Sequence, residues 1–182
     1  MSILREITQT KHQTVENLPF VQYLLRGNIS HSHYVIYLAE MLAIYQHLEQ
    51  LCQQAGLFVG LEQLPRSQRM KQDLEELSPD HVTQLCNSTV SYLAYLDQLY
   101  SSPRQSQLFA HVYVRHMGDL YGGKLISRVV PGSGLWYQFE NRAELSKQFN
   151  ERITLDRADE ALTAFDHYGN IFKDVWSRIH TE

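Results

Sequence analysis

The sequence is poor in the residues that mark several common protein classes. Its 182 residues include only two cysteines. Cys52 and Cys86 form neither a disulfide framework nor a metal motif, so we expect free thiols. A net charge of −4 without a basic tail gives nucleic-acid binding no electrostatic support. No uncharged apolar run approaches about 18 residues and no signal peptide begins the chain, so we expect a cytoplasmic protein with no membrane contact.

Prolines are also scarce, and the long segments between them show the helical period of 3.6 residues. This period predicts helices over residues 2–17, from there to about residue 27, and from Ser30 to Gly56. It predicts further helices over residues 66–77, 88–100, 140–153 and 157–179. No segment shows the alternation typical of a strand. The sequence therefore predicts an all-α fold, a single compact helical bundle in which residues 1–182 form one domain, and we expect a monomer.

The segment between residues 102 and 134 carries clear signals for both ends of a helix. Ser102 is followed by Pro103, and Gln105 stands three residues after the serine, which is typical of a helix start. The sequence Pro-Gly-Ser-Gly at residues 131–134 is typical of a helix end. Together these signals predict one helix from residue 102 to about Val130.

That predicted helix contains three of the nine glycines of the chain, Gly118, Gly122 and Gly123. Each costs about 1 kcal/mol relative to alanine in a helix interior, so a compensating contact is expected. Close helix packing is one interpretation, because Gly118 and Gly122 lie on one face. A phosphate loop over residues 118–124 is a second, but the required Ser or Thr and the preceding strand are missing. The third is backbone lying against a flat cofactor, with Asp119 organising water beside it.

A site of the third kind needs a metal ligand on the opposite wall, and His12 is the candidate. Glu16 lies four residues later on the same helix face, where it can hold the imidazole nitrogen that does not bind metal. His31 and His33 point to different faces of a helix, so they do not form a metal pair. His116, beside the glycines, either faces solvent, packs in the interior or contributes to the site.

Two segments together resemble the heme oxygenases: KHQTVEN at residues 11–17 and YVRHMGDLYGG at residues 113–123. The resemblance covers most of the chain, and the core Gly-Asp-Leu-x-Gly-Gly is its most specific part. It implies that heme lies between an N-terminal proximal helix and a glycine-kinked distal helix. It extends to Ile44-Tyr45, Leu48-Glu49, Ser133-Gly134-Leu135 with Phe139, and Thr163-Ala164-Phe165.

The resemblance implies that heme is both cofactor and substrate. Heme would be cleaved with O2 and electrons to biliverdin, CO and ferrous iron, and the electron donor would be a ferredoxin, a flavodoxin or a flavin reductase. By resemblance, His12 is the iron ligand and Glu16 its hydrogen-bond partner. The positions that the resemblance makes catalytic are Gly118, Asp119, Arg115 and Tyr45, and further heme contacts are Gly122, Tyr113 and Phe165.

The resemblance also assigns basic residues to the two heme propionates. Arg5 and Lys147 match basic positions of the family. The family has an aromatic residue and then an arginine shortly after that lysine, whereas Asn150 and Glu151 precede Arg152 in this chain. Lys147 and Arg152 are therefore either propionate partners or solvated charges on a helix.

Two other functions stay open from the sequence. One is a non-catalytic heme carrier or sensor, which would bind heme through His12 without degrading it. The other is a thiamin-degrading enzyme on a similar helical fold. That chemistry requires a nucleophilic cysteine, and neither Cys52 nor Cys86 lies in a motif that provides one.

Overall fold

The computed structural model describes residues 3–82 and 84–181, and within these ranges every regular element is helical. The all-α prediction is confirmed. Three single-turn 3₁₀ helices cover Gln105–Gln107, Leu135–Tyr137 and Leu155–Arg157. The α-helices of the described ranges are α1 (Ile3–Glu16), α2 (Pro19–Leu25), α3 (His31–Gln54), α4 (Ser67–Leu77), α5 (Asn87–Tyr100), α6 (Leu108–Ile126), α7 (Arg142–Asn150) and α8 (Ala158–Arg178).

Both ends of α3 follow from local chemistry that the sequence displays. The hydroxyl of Ser30 accepts the backbone N–H of His33 at 3.2 Å, which satisfies one of the free donors at the start of α3. Gly56 adopts a φ of +68° just beyond the other end of α3, a conformation that favours glycine. The predicted boundaries of α3 are therefore confirmed.

The helix that carries the glycine cluster is shorter than predicted at both ends. It begins at Leu108 and not at residue 102, because the Ser102 hydroxyl accepts the N–H of Arg104 at 3.1 Å in a local turn. At the other end α6 stops at Ile126, and the backbone N–H groups of Arg128 and Val129 form i to i−3 bonds that tighten the chain into a turn. Between these limits α6 is a continuous α-helix through all three glycines.

The centre of the molecule is α3, whose buried face contacts α4, α5 and α6. The last helix, α8, packs against α1, α2, α5 and α6, so it closes the bundle on the other side. Buried apolar side chains from all eight of these helices form one continuous core. None of the helices in the described ranges combines the length and apolarity that crossing a bilayer requires.

Candidate functional site

His12 lies on α1 with a side chain that is 53% exposed, so its ring is accessible from outside the core. Its Nδ1 is 3.4 Å from an oxygen of Glu16, one turn further along the helix. The edge of the ring packs on Phe165 of α8, with the ring centroids 5.9 Å apart. Within the described ranges nothing bonds to the other ring nitrogen, Nε2. Glu16 and Phe165 therefore orient an imidazole whose second nitrogen is available to a ligand.

The three glycines of α6 have different surroundings. A Cβ placed at Gly118 or Gly122 would meet no atom of the described residues within 4 Å. A Cβ at Gly123 would lie 3.0 Å from the ring of Tyr137. Close packing thus accounts for Gly123 alone, and the packing interpretation of the pair Gly118 and Gly122 is wrong. Because residues 118–124 are helical and follow a helix, the phosphate-loop interpretation is wrong as well.

Two observations indicate how the N-terminal segment runs along α6. Burial raises the pKa of the Tyr113 phenol while Thr8 and the charge of Arg5 oppose the rise, so the first half of α1 lies near Tyr113. Further along, Gly27 packs directly against Val129 beyond the end of α6. The segment from Thr8 to Gly27 therefore runs in the same direction as α6.

His12 lies between these two contacts on the N-terminal segment, and Gly118 and Gly122 lie between them on α6. The backbone of Gly118 is exposed in this stretch, and that of Gly122 is partly exposed. An accessible imidazole on α1 and a strip of bare helix backbone on α6 therefore lie at corresponding positions along the N-terminal segment and α6. The space on this side of α6, called the cleft below, is a candidate site for a flat ligand.

Asp119 projects from α6 into the interior, and only 5% of the residue is exposed. One carboxylate oxygen, Oδ2, accepts the Tyr45 hydroxyl at 2.6 Å and the Trp136 indole N–H at 2.8 Å. Burial raises the pKa of Asp119 to about 6, although these two hydrogen bonds and the charges of His116 and Arg115 oppose the rise. The carboxylate therefore titrates close to neutral pH, as a proton-transfer group should.

Trp136 is the member of this group that the sequence did not predict. It stands in the single turn Leu135–Tyr137, 17 residues after Asp119, and no spacing rule connects it to α6. The only signal was the rarity of tryptophan, of which the chain has two.

Arg115 lies behind Asp119 in the core and does not bond to the carboxylate. Its guanidinium carbon lies 4.8 Å from the ring centroid of Tyr92 and 4.6 Å from that of Tyr168. Its Nε is 3.4 Å from the Tyr92 hydroxyl, and one of its terminal nitrogens has no partner in the described part of the chain. Arg115 thus places a buried positive charge near the site through aromatic contacts.

His116 is fully buried, so a solvent-facing position is excluded. Its Nε2 lies 2.8 Å from Glu49 on α3, and its ring lies 4.8 Å from that of Tyr45. Burial opposes ionisation of Glu49, but hydrogen bonds from His116, Ser67 and the backbone of Arg66 outweigh it and lower the pKa of Glu49. The pair of His116 and Glu49 therefore forms the packed support behind Tyr45.

The basic residues assigned to the propionates occupy different places. Arg5 and Lys147 are exposed on α1 and α7. Tyr121, which precedes Gly122, bonds to Ser146, which precedes Lys147, so α7 adjoins the exposed glycines. The Arg152 guanidinium instead donates to the carbonyls of Leu57 and Val59, in the connection after α3. Arg152 is therefore occupied away from the cleft.

The two cysteines and the histidine pair add no second site. Cys52 is buried and Cys86 half-buried, and both are free thiols, as expected. Burial raises the pKa of the Cys86 thiol to about 12 and also raises that of Cys52, so neither is an activated nucleophile. No group of three or more His, Cys, Asp or Glu side chains in the described ranges could hold a metal ion. The thiamin-degrading alternative therefore has no nucleophile here.

Comparison with known proteins decides the family. The model of the family described as heme oxygenase matches residues 1–174. The chain belongs to the heme oxygenase family. It is 27% identical to heme oxygenase 2 of Oryctolagus cuniculus, over 95% of this chain and 65% of that protein. It is 24% identical to heme oxygenase 1 of Nostoc, over 94% of this chain and 84% of that protein.

Solved heme oxygenases share the fold. The crystal structure of heme oxygenase-1 from the cyanobacterium Synechocystis, a complex with heme, superposes with a TM-score of 0.85. The two chains are 20% identical, and the match covers 98% of this chain and 92% of the other. Heme oxygenase from Leptospira interrogans gives a TM-score of 0.80 at 21% identity, over 93% and 96% of the chains. Relative to the mammalian heme oxygenase 2 proteins, the chain spans 64–65% of their length.

Proposed function

We propose that this protein is a heme oxygenase that cleaves heme with O2 and reducing equivalents to biliverdin, CO and ferrous iron. The proposal is supported by the accessible His12 imidazole on α1 and the bare backbone of Gly118 and Gly122 on α6, which we infer to face each other across the bound ligand. Asp119, with a pKa of about 6, follows the first of these glycines directly. A metal ligand, a flat wall and a proton-transfer group would then meet at one site.

The residues present fit a heme. His12 would bind the iron through Nε2, with Glu16 holding Nδ1, and Phe165 would keep the ring in place. The planar macrocycle would lie against the helix backbone at Gly118 and Gly122, where any Cβ would protrude into its space. When bound, heme supplies the iron at which O2 is activated and the ring that is cleaved.

The side chains near α6 have separate tasks in this proposal. Asp119 would hold and pass protons through water, because its raised pKa lets it exchange them near neutral pH. Tyr45 fixes the carboxylate through the 2.6 Å hydrogen bond to Oδ2. Arg115 keeps a positive charge nearby, which favours the ionised carboxylate. Tyr113 closes the end of the cleft beside Thr8 and Arg5.

Exposed basic residues beside the cleft would bind the heme propionates and would also attract the electron-donor protein. Arg5 and Lys147 are exposed cations that can pair with the propionates. We propose that Arg152 takes no part, because its guanidinium is bonded to the Leu57 and Val59 carbonyls. The same cations suit an acidic ferredoxin, a flavodoxin or a flavin reductase as donor. We further propose that residues 1–182 act as one domain, in the cytoplasm and as a monomer.

The His12 assignment is tested by His12→Ala, with His47→Ala as the matched control. His47 also pairs with a carboxylate, that of Asp97 at 2.8 Å, but His47 lies on α3 and Asp97 on α5, neither of which carries a residue of the proposed iron ligation. We expect His12→Ala to lose the absorbance spectrum of imidazole-ligated heme and to regain it when imidazole is added. His47→Ala should keep the wild-type spectrum. An unchanged spectrum in His12→Ala would refute the ligand assignment.

A further inference from the structure

Trp136 stands against the Asp119 carboxylate without belonging to either wall of the cleft. Its indole N–H donates to Oδ2 at 2.8 Å, while its residue is completely buried. The Pro-Gly-Ser-Gly segment at residues 131–134, which follows the end of α6, brings the chain back to this point, and Gly134 adopts a φ of +59° just before the turn. The loop that follows α6 thus places the Trp136 indole N–H beside Asp119 on that helix.

A second buried carboxylate fixes the backbone that carries this indole. Asp73 on α4 accepts the backbone N–H of Leu135 with one oxygen and that of Trp136 with the other, each at 2.8 Å. Asp73 is 2% exposed, so these two bonds satisfy a charge that has little contact with water. The turn therefore has one position relative to α4 and little freedom to withdraw from Asp119.

The ring of Trp136 is held as firmly as its backbone. It stacks on Tyr137 with a centroid distance of 4.5 Å, and it meets the Tyr45 ring edge-on at 5.5 Å. Tyr45 is the other donor to Asp119, so the two donors also pack against each other. This arrangement fixes both the direction and the spacing of the hydrogen bonds that reach Oδ2.

We propose that Trp136 is a positioning residue of the candidate site, which holds the Asp119 carboxylate so that Oδ1 is left for water and substrate. Both protein donors bind Oδ2, and Oδ1 has no donor in the described part of the chain. A carboxylate held by one donor can rotate about its terminal bond, but two converging donors fix its plane. The role assigned to Trp136 rests on the proposed function, whereas the contact itself does not.

The hydrogen bond also influences the charge of Asp119. A donor to a carboxylate favours its ionised form, so Trp136 opposes the effect of burial. Several other groups act electrostatically on the same carboxylate from α3, α6, α8 and the connections beside them. They are Tyr34, Tyr37, Tyr45, Arg66, Arg115, His116, Tyr137 and Tyr168.

The contact is tested in the heme-free protein by the NMR signal of the indole N–H. The other tryptophan of the chain, Trp176, packs on His180 with ring centroids 3.9 Å apart, away from Asp119, and would add a second indole signal. Trp176→Phe leaves Trp136 as the single indole and keeps an aromatic ring at position 176. We expect its N–H signal to titrate with a midpoint near pH 6, the pKa of Asp119. In Trp176→Phe with Asp119→Asn this titration should disappear, and an identical titration in both proteins would overturn the proposal.

The role in the reaction is tested by Trp136→Phe, with Trp176→Phe as the control. Phenylalanine keeps a ring but removes the donor, so the pKa of Asp119 should rise by about one pH unit. We expect the acid limb of biliverdin formation to move up by that amount, while heme titrates to the same affinity. An unmoved pH profile would contradict the positioning role. Absence of biliverdin from Trp176→Phe would instead contradict the proposed function. In that case the NMR comparison would still test the hydrogen bond between Trp136 and Asp119.

Discussion

At the scale of single residues, Asp119 is a buried carboxylate whose charged form reduces the stability of the folded state. Its carboxylate lies among aromatic rings and is ionised at neutral pH only because Tyr45, Trp136 and nearby charges oppose its burial. An uncharged side chain of the same shape would avoid the free-energy cost of burying a charge at this position. Functional groups of this kind commonly reduce the stability of the folded state.

Asp119→Asn should therefore stabilise the protein at neutral pH and abolish its activity. Both donors bind one oxygen, so the amide oxygen can accept both. The pKa of Asp119 rises from 3.8 to about 6 on folding, so the charged form destabilises the folded state above pH 6. The penalty is about 3 kcal/mol and fades as the pH falls from about 7 to about 4.

The measurement is urea unfolding of both proteins across this pH range. We expect Asp119→Asn to have the higher free energy of unfolding at pH 8 and to lose this advantage near pH 4. A constant difference at every pH would show that the carboxylate is not buried as described.

Single residues also show how far the sequence predicts the site. Spacing marks His12 and Asp119 as candidates and the resemblance adds Tyr45, whose hydroxyl the structure places 2.6 Å from the Asp119 carboxylate. Trp136 and the partnership of His116 with Glu49 depend on contacts between residues far apart in the chain. Periodicity relates only residues that are close in sequence, so these long-range contacts become visible only in the folded structure.

At the scale of the element, α6 combines two uses of glycine within one helix. Gly123 lets Tyr137 approach the helix closely, whereas Gly118 and Gly122 leave backbone bare on the side of the cleft. The sequence predicts a helix here because apolar residues and capping signals define it. It does not predict its ends, because Ser102 forms a local turn and α6 starts only at Leu108.

Alanine substitutions should separate the two kinds of glycine. In heme-free protein, Gly118→Ala should raise the free energy of unfolding by up to about 1 kcal/mol, because the new Cβ meets no neighbour. Gly123→Ala should lower it by about 1–3 kcal/mol, because its Cβ would lie 3.0 Å from Tyr137.

Heme titration completes this comparison. Gly118→Ala should weaken heme binding by about tenfold or more, since the methyl group enters the space assigned to the macrocycle. The folded fraction of Gly123→Ala should bind heme with the affinity of the wild type. A Gly118→Ala protein that is stabilised and still binds heme like the wild type would contradict the position of the cleft.

At the scale of the whole molecule, α8 packs against α1 and α6, and α6 in turn contacts α7, so these four helices adjoin one another. The number and order of the helices follow from the spacing of prolines, glycines and apolar residues. Their mutual placement follows from packing around α3, which the sequence does not state. For this reason the exposed cations had to be assigned by resemblance, and the structure separates Lys147 from Arg152.

Neutralising Lys147 should affect heme affinity, whereas neutralising Arg152 should affect thermal stability. Lys147→Gln should weaken heme binding by up to about fivefold, the effect of one exposed ion pair, and leave thermal stability unchanged. Arg152→Gln should lower thermal stability, because its guanidinium is bonded to two loop carbonyls, and leave heme affinity unchanged. Equal losses of heme affinity in both variants would show that Arg152 reaches the cleft.

A heme oxygenase degrades the heme that it binds, whereas a carrier or sensor does not. The most direct test follows the absorbance of the protein with one equivalent of heme and a reductant under O2, with chromatography of the pigment formed. We expect the Soret band of bound heme to decay while biliverdin appears and CO is released. A Soret band that persists under O2 and reductant, with no bilin formed, would contradict the account and identify a heme carrier or sensor.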